Sequence, residues 1–146
     1  MDALSVNAPV LSASVNVEVP FHDVDVMEVA WHGHYLKYFE VARCALLRSI
    51  GYDYSQMRDS GFLWPVVDCR VKYVRPARYG QVLRVTAELI EYENRMKIAY
   101  AVRDAASGET LTKGCTIQVA VCARSGELQF VSPTALIDRV RKVASA

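Results

Sequence analysis

His22-Asp23-Val24-Asp25-Val26-Met27-Glu28-Val29-Ala30-Trp31-His32-Gly33-His34-Tyr35 is the stretch on which the reading of this chain turns. It holds all three histidines and three carboxylates, and it leads into a long segment of helical period. Just upstream, Val15-Asn16-Val17-Glu18-Val19 alternates apolar with polar residues, the two-residue period of a strand, and Pro20 ends it. Downstream, Tyr35, Phe39, Ala42 and Leu46 recur on one helical stripe, widened by Leu36, Leu47 and Ile50 and closed by Gly51. The spacing predicts a helix over 32–50, roughly 28 Å long at the α-helical rise. The titratable side chains therefore crowd at a helix N-terminus, where free backbone N–H groups hold an anion or a developing negative charge.

Beyond that helix, Asp53 is placed as the N-cap of a short turn reaching Ser60. Strand patterns follow. Val67, Cys69, Val71 and Tyr73 alternate with charged residues up to Pro76; Leu83, Val85, Ala87 and Leu89 form a second set, and Met96, Ile98, Tyr100 and Val102 a third. Cys115, Ile117, Val119 and Val121 read as the last long strand. Short turn signals at Glu93-Asn94 and Ser107-Gly108 make antiparallel neighbours the expectation. Ser132-Pro133 offers an N-cap and a first-turn proline for a C-terminal helix carrying Leu136, Ile137, Val140 and Val143. One long helix with a mostly antiparallel sheet is an α+β domain, expected over 15–146, with 1–14 as a loose arm. Ala99, Ala101 and Ala120 on the nominally polar faces suggest a sheet surface partly covered by another subunit.

A chain of 146 residues, 52% hydrophobic, suffices for a single domain with a sizeable core. Its formal charge of +1 is spread unevenly, since no Lys or Arg precedes Lys37. That polarity is far weaker than the basic face of a nucleic-acid binder. No basic n-region opens the chain and no apolar run is long enough to span a bilayer, so a cytoplasmic location is expected. Cys44, Cys69, Cys115 and Cys122 lack zinc-ligand spacing and read as small core hydrophobes. His32 and His34, two residues apart, point to nearly opposite sides of a helix, which disfavours a shared metal.

Asp23-Val24-Asp25, then Val29-Ala30-Trp31-His32, Tyr35 and Phe39-Glu40-Val41-Ala42-Arg43, resemble the signature of hotdog-fold acyl-CoA thioesterases. The resemblance is to the 4-hydroxybenzoyl-CoA thioesterase group and to the bacterial thioesterases associated with the Tol–Pal system. Tyr73-Val74-Arg75-Pro76 is similar to that family's second landmark, a tyrosine and proline closing a strand. The resemblance implies a β-α-β-β-β-β hotdog in which the sheet wraps the long helix. Protomers join their sheets into a homodimer or homotetramer, with the active site between subunits. It implies an acyl-CoA or acyl-carrier-protein substrate and no cofactor. It places the catalytic carboxylate on Asp25 and the oxyanion donor on the backbone N–H of His32, whose side chain assists. It assigns Arg95 and Lys97 to the phosphates of coenzyme A. Trp31 and Tyr35, with Phe62 and Trp64, are candidates for an acyl pocket.

Two departures stand out. Many relatives have glycine where this chain has Glu28, a costly exchange if the backbone there needs a positive φ. Phe21 stands where some relatives carry a tyrosine. Read without the family, Asp25 is as consistent with a turn residue as with a base or nucleophile. Glu40 and Arg43, three apart, are expected to pair. A non-catalytic acyl-thioester binding module and a hotdog hydroxyacyl dehydratase are the alternatives; the histidine-glycine-proline arrangement of the dehydratase is missing here.

Overall fold

The computed structural model describes residues 8–145. Strand β1 (Leu11–Glu18) is followed by a single 3₁₀ turn at Phe21–Asp23, a second at His32–His34, and helix α1 (Tyr35–Ser49). A short helix α2 (Tyr54–Asp59) and strand β2 (Phe62–Leu63) lead into β3 (Val66–Tyr73), β4 (Val82–Glu91), β5 (Met96–Asp104) and β6 (Thr110–Gln118). A two-residue strand β7 (Val121–Cys122) and helix α3 (Thr134–Ala144) complete the chain. The main sheet is antiparallel throughout, in the order β1-β4-β5-β6-β3, and β2 pairs with β7 in a separate ribbon. This is the expected α+β hotdog arrangement, with α1 lying along one face of the sheet.

The core forms where the inward stripe of α1 meets the alternating face of β4 and β5. Tyr35, Tyr38, Phe39, Ala42 and Leu46 from the helix are buried against Leu83, Val85, Ala87, Leu89, Ile98 and Val102. At its centre Phe39 stacks on Tyr100, with ring centroids 4.5 Å apart and planes 9° from parallel. Gly114 lies opposite Tyr100 on β6. A Cβ built there would stand 2.3 Å from the Phe39 ring, so only glycine admits the stack. We expect Gly114→Ala to cost about 1–3 kcal/mol as an overpacking change, read as a lowered Tm with the fold retained.

Several expectations need correction. β1 begins at Leu11 rather than Val15, so the part of the supposed arm nearest the domain, 11–14, is strand; residues 1–7 lie outside the described chain. α1 proper begins at Tyr35, because His32–His34 takes the tighter 3₁₀ form. Asp53 does cap α2, in a reciprocal box with Gln56. Ser132, however, does not cap α3; Pro133 occupies that position, and the Ser132 hydroxyl is buried without a protein partner among the described residues. β3 and β4, although consecutive, are not neighbours, since β3 crosses over to the far side of β6.

The last long strand also ends at Gln118, with Val119 outside it and Val121 in β7. Thr112, Gly114, Thr116 and Gln118 point to the helix, and Cys115 and Ile117 to the outer surface. The two bulky rings of Phe39 and Tyr100 leave room only for small residues on that strand. The buried Tyr100 hydroxyl also needs a partner and finds it in Thr116 Oγ1 at 2.8 Å. Alternation of apolar residues alone does not reveal that this smaller, more polar set faces the helix. Of the four cysteines, only Cys115 is buried; Cys69 is exposed. Ala99, Ala101 and Ala120 are already buried within one chain. Among the described residues no helix is long and apolar enough to cross a membrane.

Candidate active site

The segment from Pro20 to Tyr35 folds as a compact loop pinned to the crossover between β3 and β4. Val24 bridges Ala30 and Val29 bridges Arg78. The Ala30 N–H donates to the Ala77 carbonyl at 2.7 Å, and the buried Ala77 N–H donates to the Tyr35 hydroxyl at 3.0 Å. Between the bridges the chain turns tightly over Asp25–Glu28: the Glu28 N–H donates to the Asp25 carbonyl, and the Asp25 N–H to the Val29 carbonyl, each at 2.9 Å. Closing that turn drives Glu28 to φ +63°, making it the one described non-glycine residue in left-handed space. The glycine expected there is thus a conformational requirement, and a side chain meets it at a cost of about 1–2 kcal/mol.

The turn presents Asp25. Its Oδ1 accepts the Met27 N–H at 2.8 Å, an Asx turn that holds the carboxylate in one orientation. Its Oδ2 has no protein donor among the described residues. Asp25, His32, Tyr35, Tyr73 and Pro76 line an open cleft of about 280 Å³. Tyr73 was not among the expected site residues, although the tyrosine-proline landmark pointed to it. Its hydroxyl donates to the His32 carbonyl at 2.6 Å, and its ring meets those of Tyr35 and His32 edge to face. Burial pushes the Tyr73 phenol up, so it stays a donor. That bond fixes the His32–Gly33 peptide through its carbonyl, inside the 3₁₀ turn whose first N–H groups have no intrahelical acceptor.

Asp23 does something different. Only 1% exposed, its carboxylate receives Lys37 Nζ at 2.6 Å and the Tyr38 hydroxyl at 2.8 Å, and its carbonyl accepts the Trp31 N–H at 2.9 Å. Burial pushes the Asp23 carboxyl up, but the hydrogen bonds from Lys37 and Tyr38, with the charges of Lys37 and His34, outweigh it and hold the group below the ordinary carboxylate value. Burial, then the Asp23 carboxylate, drive the Tyr38 phenol well above its own ordinary value. Asp23 is thus a tie between the loop and the first turns of α1, and Asp25 is the acid at the cleft.

The histidines diverge as expected, His32 toward Tyr73 and His34 toward Asp23, whose Oδ1 lies 3.9 Å from His34 Nδ1. Trp31 folds over Gly33, where a Cβ would fall 2.2 Å from the indole; its ring packs with His32 and His34 and does not line the Asp25 cleft. Tyr35 does line it. Glu40 and Arg43 form no ion pair; Arg43 Nη1 reaches the Tyr100 hydroxyl at 3.4 Å. Arg95 is held by Glu91 through Nε at 3.0 Å, and Lys97 sits on β5 beside Ile117. Both lie at the Val66–Gln118 end of the sheet, whereas the Asp25 cleft is at the Tyr73 end. The length of β3 separates them, roughly 23 Å at the strand rise. A single chain therefore does not bring these cations to Asp25. Among the described residues no three His, Cys, Asp or Glu side chains converge as metal ligands.

The profile of the Thioesterase-like superfamily matches residues 19–140. A Bacillus subtilis protein provisionally assigned as an acyl-CoA thioesterase, YneP, is 37% identical over 84 residues, which are 58% of this chain and 60% of that protein. A protein of Aquifex aeolicus provisionally assigned as an esterase is 33% identical over 103 residues, 68% of this chain and 80% of its own length. Among solved structures, the DHNA-CoA thioesterase of Staphylococcus aureus superposes with a TM-score of 0.80 at 24% identity, covering 92% of this chain and 91% of that one, a likeness of fold.

Proposed function

Since this chain belongs to the Thioesterase-like superfamily, we propose that it hydrolyses an acyl-CoA thioester to the free acid and coenzyme A thiol. The observation that carries the reading is Asp25: one oxygen is tied down by the Met27 N–H and the other is free in a cleft headed by the His32 peptide. Two routes balance. In one, Asp25 Oδ2 attacks the carbonyl carbon, the C–S bond breaks, the thiolate leaves and is protonated from water, and a second water cleaves the mixed anhydride. In the other, Asp25 takes a proton from water, the hydroxide attacks, and the proton passes to the departing sulfur. In both, negative charge develops on the carbonyl oxygen, and the backbone N–H of His32, at the start of the 3₁₀ turn and among the cleft-lining residues, is the donor this reading assigns to it. Label in the Asp25 peptide after turnover in ¹⁸O-water establishes the anhydride route, because it enters the carboxylate only when water opens an anhydride at the aspartyl carbon. Water attacking the acyl carbon would leave Asp25 unlabelled, so trapping with hydroxylamine as the Asp25 hydroxamate completes the test.

The same reading makes the protein an obligate dimer or tetramer. Support comes from β3, an edge strand exposed along both faces, with only Val71 partly covered. Bare edges with apolar side chains are places where sheets extend. Antiparallel pairing of two β3 strands about a two-fold axis sets the Tyr73 end of one chain beside the Val66 end of the other. We expect a solution mass of at least twice 16.3 kDa. Cys69→Pro, which removes an edge N–H and stiffens the strand, is expected to lower the mass and the turnover together. A fully active monomer contradicts the reading.

The two-fold also carries Arg95 and Lys97 toward the cleft of the other chain. Replacing either with Ala is expected to raise KM more than it lowers kcat, since phosphate contacts bind ground and transition states alike. With a short thioester lacking the nucleotide the effect should vanish. Equal losses on both substrates would mark the change as structural.

A further inference from the structure

A second cavity, of about 290 Å³, opens between α1 and α2. Leu47, Met57 and Trp64 give it an apolar wall, and Arg43 and Glu40 stand at its rim. Gln118 also lines it and is 5% exposed. Its Nε2 donates to the Trp64 carbonyl at 2.8 Å. A carbonyl only accepts, so the orientation of this amide is decided. Gln118 Oε1 is left as a buried acceptor with no donor among the described residues. A buried acceptor without a partner is costly, and one that lines a cavity is satisfied by what fills it.

Gln118 pairs with Val66, at the end of β3 opposite Tyr73. On the two-fold reading above, that end lies beside the partner's Asp25. We propose that this cavity takes the acyl group of the thioester cleaved at the partner's Asp25, and that Gln118 Oε1 selects acyl groups bearing an O–H or N–H donor at their far end. The inference rests on the thioesterase and dimer readings. At about 30 Å³ per water-sized group, the cavity holds roughly ten non-hydrogen atoms. That suits a hydroxylated aryl or short alkyl chain.

The test compares kcat/KM for 4-hydroxyphenylacetyl-CoA, phenylacetyl-CoA and acetyl-CoA with the full chain, its Gln118→Leu variant and its Cys44→Phe variant. Wild type is expected to favour the hydroxylated ring at least tenfold over the plain one, and Gln118→Leu to bring that ratio near one. Should Gln118→Leu fail to fold, Cys44→Phe decides: placed at a half-buried lining position of α1, it should lower both aryl thioesters at least tenfold relative to acetyl-CoA. A wild-type ratio near one, a ratio unchanged by Gln118→Leu, or aryl turnover untouched by Cys44→Phe overturns the proposal while leaving the thioesterase reading standing. If wild type cleaves none of the three, nor octanoyl-CoA and palmitoyl-CoA assayed beside them, the thioesterase reading fails. The cavity is then judged by the thermal shift with 4-hydroxyphenylacetate: a rise in Tm lost in Cys44→Phe sustains it as a site for such acids, and no rise overturns it.

Discussion

Asp25→Asn is expected to lower kcat for acyl-CoA hydrolysis by roughly 10²–10⁴-fold, the usual worth of a positioned base, and to leave KM close to the wild-type value. The amide keeps the shape of the carboxylate, and its oxygen still accepts the Met27 N–H that holds the turn. What it loses is the charge and the basicity of the oxygen facing the cleft. On the proposed reading the acyl group and nucleotide are held by other residues, so ground-state binding is spared and the loss falls on the transition state. Stability should change by no more than about 0.5 kcal/mol, as for other surface substitutions. Relief of repulsion from Asp23 contributes little, because Lys37 already neutralises that carboxylate at 2.6 Å. Thiol release and thermal melting measured on one preparation check both halves. Near-native turnover in Asp25→Asn would remove Asp25 from the chemistry.

Asp23→Ala has the opposite signature. The carboxylate is buried, ion-paired to Lys37 and hydrogen-bonded by Tyr38, so its removal strips the loop of its tie to α1 and leaves a buried phenol without its acceptor. Losing hydrogen bonds to a charged group costs about 2–3 kcal/mol. The full penalty of a stranded buried charge does not apply, since Lys37 is half exposed and turns to water. For a domain of this size that is roughly 4–12 °C in Tm. Turnover should fall far less than in Asp25→Asn. The stability difference is itself pH-dependent. The folded Asp23 titrates below its unfolded value, held there by Lys37 and Tyr38 against burial. Its contribution is therefore fully present above the unfolded value of about 4. It is lost as pH falls through the folded value. The Tm gap between wild type and Asp23→Asn should thus be constant near neutrality and narrow on acidification below about pH 4. A gap that widens in acid would reverse the assignment.

The sequence by itself determined the long amphipathic helix, the paired inward faces of β4 and β5, the Asp53 cap and the crowding of carboxylates ahead of the helix. Each is written in a local period or a short-range hydrogen bond, and local geometry enforces it. It also pointed to Glu28 as a strained position, because one residue type is favoured wherever a tight turn forces φ positive. The tertiary structure decided the rest. Which face of β6 is inward depends on Phe39 and Tyr100, rings distant in sequence that leave space only for Gly114 and Thr116. The division of labour between two acids two residues apart depends on Lys37 and Tyr38, brought to Asp23 by the docking of α1. The places of Tyr73 at the His32 carbonyl, and of Arg95 and Lys97 at the far end of the sheet, follow from the crossover that carries β3 to its edge. Period and propensity act over a few residues, whereas strand order and the partners of a buried carboxylate are settled only when distant segments compete for the same space.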